Sequence, residues 1–166
     1  MRSAMATATT LAIAAWIGLA GAARAADDYP PVTHRATVEE CGACHMVFPP
    51  QMLPARSWRA IMAGLDKHFG DDASLKPAKT DEIARFLTAN AADAGGREKG
   101  KEFLKTLPTA VTPLRITELP HWIKEHDDVK PAVWSRKSIK AKSNCVACHT
   151  KAVQGDYDED RVKIPD

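Results

Sequence analysis

Cys41-Gly42-Ala43-Cys44-His45 and Cys145-Val146-Ala147-Cys148-His149 are the two stretches whose reading decides the fold. Each has the form C-x-x-C-H, the attachment signature of a c-type haem. The spacing follows from the chemistry. One helical turn brings two thiols to the two vinyl groups of one porphyrin, and the following histidine then lies under the iron as its proximal ligand. The chain has four cysteines, and the two motifs use all of them. A thioredoxin-like dithiol would sit in a βαβ pattern, which surrounds neither copy. A zinc ribbon would bring its pairs much closer in sequence than the roughly one hundred residues between these. A pair of disulfides is the remaining alternative in an exported chain. Repetition of the motif, with histidine following each time, favours two covalent haems, with Cys41, Cys44, Cys145 and Cys148 as attachment residues and His45 and His149 as proximal ligands.

The chain opens with Met1-Arg2-Ser3, an Ala-rich apolar run from Ala4 to Ala20, and a small-x-small site at Ala23-Arg24-Ala25. Residues 1–25 therefore read as a cleaved signal peptide, too short and too poor in large apolar residues for a retained anchor. Export agrees with haem attachment outside the bacterial cytoplasm, and a periplasmic location is expected. Cleavage takes Arg2 and Arg24 from the 23 basic residues and leaves 21 against 21 acidic ones, in a mature chain of 141 residues. That balance gives nucleic-acid binding no support. Only Trp58, Trp122 and Trp134 remain as tryptophans, so the protein core is modest and two porphyrins would form much of it.

The expected fold is mainly α: a small, irregular helical c-type cytochrome with little or no sheet. Pro49 to Pro54 reads as a rigid loop able to wrap one haem edge. Trp58, Ile61, Met62, Leu65 and Phe69 recur at helical spacing, predicting a helix over Ser57–His68 with Gly70 at its end. Thr80 is the expected cap of a second helix, with Asp81 and Glu82 in its first turn. Gly95-Gly96 marks the boundary between a first half, 26–95, and a second half, 96–166. A weaker helix over Arg97–Leu107 contains Gly100. Thr117 is the expected cap of a helix that has Pro120 in its first turn. The tail from Gly155 reads as loosely packed.

The distal ligands follow from what the spacing leaves. After His149 only 17 residues remain, and every methionine lies in the signal or the first half. An ordinary class I arrangement, with a methionine several dozen residues downstream, has no room at the second motif. A histidine upstream fits instead. Trp122 and His126 share a helix face at i, i+4, whereas His121 pairs with Glu125, so His126 leads and His121 follows. For the first haem His68 leads, bordering the apolar stripe, with His34, Met52 and Met62 as alternatives. Lys130, Arg136, Lys137, Lys140 and Lys142 are either a solvated surface or the docking rim for an acidic redox partner.

Glu40 to His45, Pro49 to Pro54 with Ser57-Trp58, His68-Phe69-Gly70, Arg115-Ile116-Thr117, Trp122 to His126, Ser143 to His149, and Gly155 with Tyr157 occur in one ordered series. Over about residues 38–157 the chain resembles the small periplasmic dihaem cytochrome c family, often called DHC. The resemblance implies two bis-histidine haems, ligated by His45 and His68 and by His149 and His126. It also implies low-potential electron transfer rather than catalysis, with redox protein partners that include a membrane b-type cytochrome and a small oxygen-binding monohaem cytochrome. The competing readings are a small haem enzyme, peroxidase-like or reducing nitrogen oxides, and a gas-binding sensor. Either would need an open or labile sixth site.

Overall fold

The computed structural model describes residues 29–95 and 98–166, so the signal-peptide reading and Gly96-Arg97 lie outside the described residues. The described chain is helical and contains no strand, with a single isolated bridge between His68 and Asp71. The helices are α1 (Arg35–Cys41), α2 (Ala55–Ala63), α3 (Pro77–Ala89), α4 (Glu98–Leu104), α5 (Pro120–Glu125) and α6 (Pro131–Trp134), joined by 3₁₀ turns.

The Pro-rich stretch is part of the core rather than a linker. Pro50 to Pro54 are all buried, the Trp58 indole N–H donates to the Pro50 carbonyl at 2.8 Å, and the Ala92 N–H donates to the Leu53 carbonyl at 2.9 Å. α2 packs along α3, and α1 crosses α3 as well. The shared partner α3 buries Ile83 and Leu87 in the core. Met52 and Met62 are buried core residues here, 3% and 6% exposed. The core then continues across the glycine pair. Phe103, Ile116, Leu119 and Trp122 from the second half join the same cluster as Tyr29, Leu53 and Trp58.

Several helix limits differ from those read in the sequence: α2 starts at Ala55 rather than Ser57, α4 ends at Leu104 rather than Leu107, and three further differences have a clear local cause. α2 stops at Ala63, because Gly64 leaves the helix and Leu65–Lys67 tighten into a 3₁₀ turn; His68 and Phe69 follow outside it. α3 starts at Pro77, whose fixed φ suits a first helical position, so Thr80 lies inside the first turn and does not cap it. α5 likewise starts at Pro120 behind Leu119, and Thr117 belongs to the preceding 3₁₀ turn, Ile116–Glu118. In both cases proline fixed the start more strongly than a threonine hydroxyl.

The tail is stitched down, not loose. The Tyr29 N–H donates to the Gly155 carbonyl at 2.7 Å, and Gly155 itself has φ +87 with no space for a side chain against the Tyr29 backbone. Arg161 pairs with Asp156 and Asp158 at 2.8 and 2.9 Å. Further on, the Lys163 N–H donates to the Cys148 carbonyl, and Arg136 reaches the Pro165 carbonyl. The acidic run Asp156–Asp160 is therefore partly neutralised by an internal arginine.

Gly100 explains why α4 is a weak helix by propensity. A Cβ there would lie 2.6 Å from the Ala92 Cα and closer still to its carbonyl oxygen. The glycine lets α4 press against the turn after α3. Propensity alone would have Gly100→Ala stabilise the helix by about 1 kcal/mol. The close contact reverses that sign: thermal unfolding of the holoprotein should show the variant destabilised by about 1–3 kcal/mol.

Candidate haem sites

The first motif straddles the end of α1. Cys41 is its last residue, and the Gly42 N–H closes the turn on the Val38 carbonyl. Cys44 and His45 project beyond into solvent. The His45 ring sits 5.1 Å from Phe48, and its Nδ1 lies 2.7 Å from the Met46 carbonyl oxygen. A carbonyl only accepts, so Nδ1 carries the proton and Nε2 keeps its lone pair for a metal. Facing it is His68, from the turn that follows α2. The two ring centres are 6.2 Å apart and their planes 24° from parallel. Burial holds the His68 imidazole below its ordinary range, and His45 and Arg115 add to the effect while Asp71 opposes it.

The second motif forms a 3₁₀ turn over Cys145–Ala147, with the N–H groups of Cys148 and His149 both donating to the Cys145 carbonyl. Opposite His149 stands His126, at the C-terminal cap of α5, with ring centres 6.2 Å apart and planes at 64°. His126 lies flat on Trp122 at 4.2 Å, with Trp134 at 6.1 Å. Its Nδ1 lies 2.8 Å from the Trp122 carbonyl oxygen, which again leaves Nε2 free to bind a metal. The Trp122 face was readable from i, i+4 spacing. Trp134 was not, because it arrives on the short helix α6. Tyr157 also went unassigned in the sequence: its ring is 5.4 Å from His149, and its buried hydroxyl has no hydrogen-bond partner among the described residues.

One separation therefore occurs in both pairs. A metal–imidazole bond of about 2.0 Å, with the ring centre about 1.1 Å beyond the nitrogen, puts two trans imidazoles about 6.2 Å apart across one ion. Each pair fits a single metal between its rings. His34 and His121 are engaged elsewhere. His34 bonds the Thr37 hydroxyl at 2.9 Å and lies flat on Phe86 at 4.3 Å. His121 meets Phe103 edge-on and reaches Glu125 at 4.0 Å, the pairing expected from its spacing.

The thiols do not behave as an activated redox dithiol. Burial pushes Cys145 up to about 11 and also raises Cys41 and Cys148, whereas a reactive C-x-x-C lowers its nucleophile. The four cysteines form no disulfide. Among the described residues no three His, Cys, Asp or Glu converge as for a protein-only metal site. Paired thiols beside paired imidazoles match a porphyrin iron instead.

Known proteins are similar to this chain in sequence and fold. A family profile for dihaem cytochrome c (DHC) matches residues 37–157. The diheme cytochrome c from Rhodobacter sphaeroides is 46% identical, with a TM-score of 0.70 over 76% of this chain and 98% of that one. A second structure, of DHC purified from Rhodobacter sphaeroides, is 45% identical, with a TM-score of 0.63 over 75% of this chain and 97% of that one. The new diheme cytochrome type c from Shewanella baltica OS155 is 36% identical, with a TM-score of 0.64 over 78% and 91%. No curated protein sequence matches the chain. With a family match across most of its length, on a helical fold that supplies two attachment turns, the chain belongs to the dihaem cytochrome c family and carries two covalently bound haem c groups.

Proposed function

We propose that the protein is a periplasmic single-electron carrier, not an enzyme, in which both haems have histidine on each face. Cys41 and Cys44 would hold haem 1 between His45 and His68; Cys145 and Cys148 would hold haem 2 between His149 and His126. The observation that carries this reading is the common 6.2 Å separation of the two facing pairs. Each bound haem supplies an Fe(III)/Fe(II) couple, and histidine on both faces lowers its potential relative to a methionine ligand. The chain's own contribution is orientation and burial. The two Nδ1 contacts to backbone carbonyls fix the tautomer of one imidazole per haem and raise its basicity. Filling both axial positions leaves small ligands no place to bind, which supports transfer over catalysis.

In this reading residues 1–25 direct export and are removed, and the segments 26–95 and 96–166 contribute one haem each. Electrons would pass from a membrane b-type cytochrome to a small oxygen-binding monohaem cytochrome, or the reverse. No described helix is long and apolar enough to cross a membrane. From Val129 to Gly155 the chain has no acidic residue, and Lys130, Lys137, Lys140 and Lys142 are exposed around the second motif. That rim suits an acidic partner surface.

Optical and EPR spectra of the holoprotein, oxidised and reduced, with and without CO, test the ligation. The wild type should be wholly low-spin and unresponsive to CO. His68→Ala and His126→Ala should each make one haem high-spin and take up one CO, while His34→Gln and His121→Gln should change neither spectrum. A high-spin fraction in the wild type would move the enzyme and sensor readings ahead.

The plane angles give a second expectation. Near-parallel imidazoles split the iron dπ orbitals and crossed ones bring them together. EPR should therefore resolve two low-spin species: a rhombic one at haem 1 and a more axial one, with a larger highest g value, at haem 2. Two identical signals would contradict the 24° and 64° arrangements.

The lysine rim predicts that electron exchange with an acidic redox protein slows as ionic strength rises past 0.1 M, where charge steering is screened within about 10 Å. Lys137→Glu with Lys140→Glu should slow the low-salt rate about tenfold. Stopped-flow mixing reads both, and a rate indifferent to salt would remove the rim from the docking face.

A further inference from the structure

The four facing imidazoles are not held equally. His45 and His126 each have Nδ1 against a backbone carbonyl, and His149 directly follows Cys148 in the attachment turn. His68 has neither support: among the described residues none hydrogen-bonds its ring. It projects from a turn whose next two residues, Phe69 and Gly70, have φ +55 and φ +114. A left-handed backbone is natural for Gly70 and strained for a bulky aromatic residue. Burial does not explain why Phe69 stays there, since its side chain is 45% exposed.

What covers it is Arg115. Its guanidinium carbon stands 3.9 Å from the centre of the Phe69 ring, the geometry of a cation–π stack. Arg115 in turn reaches Glu118 at 3.5 Å and immediately precedes Ile116, which is buried in the core. The arginine thereby ties the turn carrying His68 to the second half of the chain. Beside the stack lies an open cleft of about 450 Å³, bordered by Phe69, Val111, Leu114 and Arg115.

We propose that the Arg115–Phe69 stack is a latch that positions His68 on haem 1, and that releasing it opens haem 1, not haem 2, to small neutral gases such as CO. The inference rests on the reading of His68 as the distal ligand of haem 1. Arg115 is a positioning residue in this scheme; it does not touch the iron.

The test is CO uptake and spin state of the holoprotein in four variants. Arg115→Ala should show a high-spin fraction and take up close to one CO per protein, where the wild type takes up none. The side chain is 47% exposed, so the fold should tolerate its loss, and an unchanged haem 2 spectrum would confirm that. Arg115→Gln keeps a flat polar group without the charge and should remain mostly open. Its full return to wild-type behaviour would overturn the cation–π stack as the cause. The double variant Arg115→Ala with His68→Ala should take up one CO, as His68→Ala alone does, because both open the same haem. Two CO would place the opening at haem 2 and overturn the latch, as would an Arg115→Ala protein indistinguishable from the wild type. Failure of His68→Ala itself to open a site would overturn the ligation on which the latch rests. That result is distinct from failure of the latch alone.

Discussion

Two imidazoles can stand trans on one metal ion only at one separation, and both facing pairs in this chain stand at it. The rest of the structure depends on holding that 6.2 Å. In the first pair one ring lies past the end of α1 and the other in the turn after α2. α3 packs against both helices, with Ile83 and Leu87 buried in the core. In the second pair one ring ends α5 and the other closes the 3₁₀ turn at Cys145, and Trp122 and Trp134 fill the space beside His126. Aromatic packing here replaces the through-helix support that α3 gives the first pair.

Most buried apolar residues of the described chain form one seam, running from Tyr29 and Leu53 through Ile83 to Phe103 and Trp122, and so joining the segments on either side of Gly95. Cys41 touches the edge of this seam, but Cys44 and His45 project beyond it into solvent, and Cys145 to His149, half-buried, lie outside it. Two covalent haems therefore add apolar surface where the protein contributes little. The stitched tail belongs to the same logic. Tyr157 packs on both Tyr29 and His149, so the C-terminal segment closes the second motif from outside and links it to the start of the described chain.

Much of the candidate site was legible in the sequence because covalent chemistry leaves a rigid signature. C-x-x-C-H could be read without any fold, and the absence of methionine from the second half excluded an ordinary distal ligand there. The i, i+4 relations of Trp122 with His126 and of His121 with Glu125 appear in the structure as a flat ring contact and a 4.0 Å pairing. The limits of the helices were less legible. The stripe through Trp58, Met62 and Leu65 continued in register to Phe69, and nothing local distinguished that coincidence from a longer helix except Gly64. Thr80 and Thr117 looked like caps because they precede acidic or apolar residues, but Pro77 and Pro120 started the helices first. Gly100 looked like a defect and is a point of contact. The looseness expected of the tail failed because Arg161 and Arg136 reach partners far from them in sequence or across a turn.

These mismatches share a cause that bears on function. Periodicity reports the interior of a helix, where one face repeats, and is blind to what happens past its end. Yet the facing histidines all sit past an end: His45 beyond α1, His68 beyond α2, His126 at the cap of α5, and His149 at the close of a 3₁₀ turn. Past a helix end the ring projects clear of the helix backbone, and a porphyrin can approach its Nε2. The unpaired carbonyls of a last turn then become useful, since His126 takes one from Trp122 to fix its tautomer. In the ligation proposed above, it is the ends of these short helices and turns, and not their interiors, that present the four imidazoles.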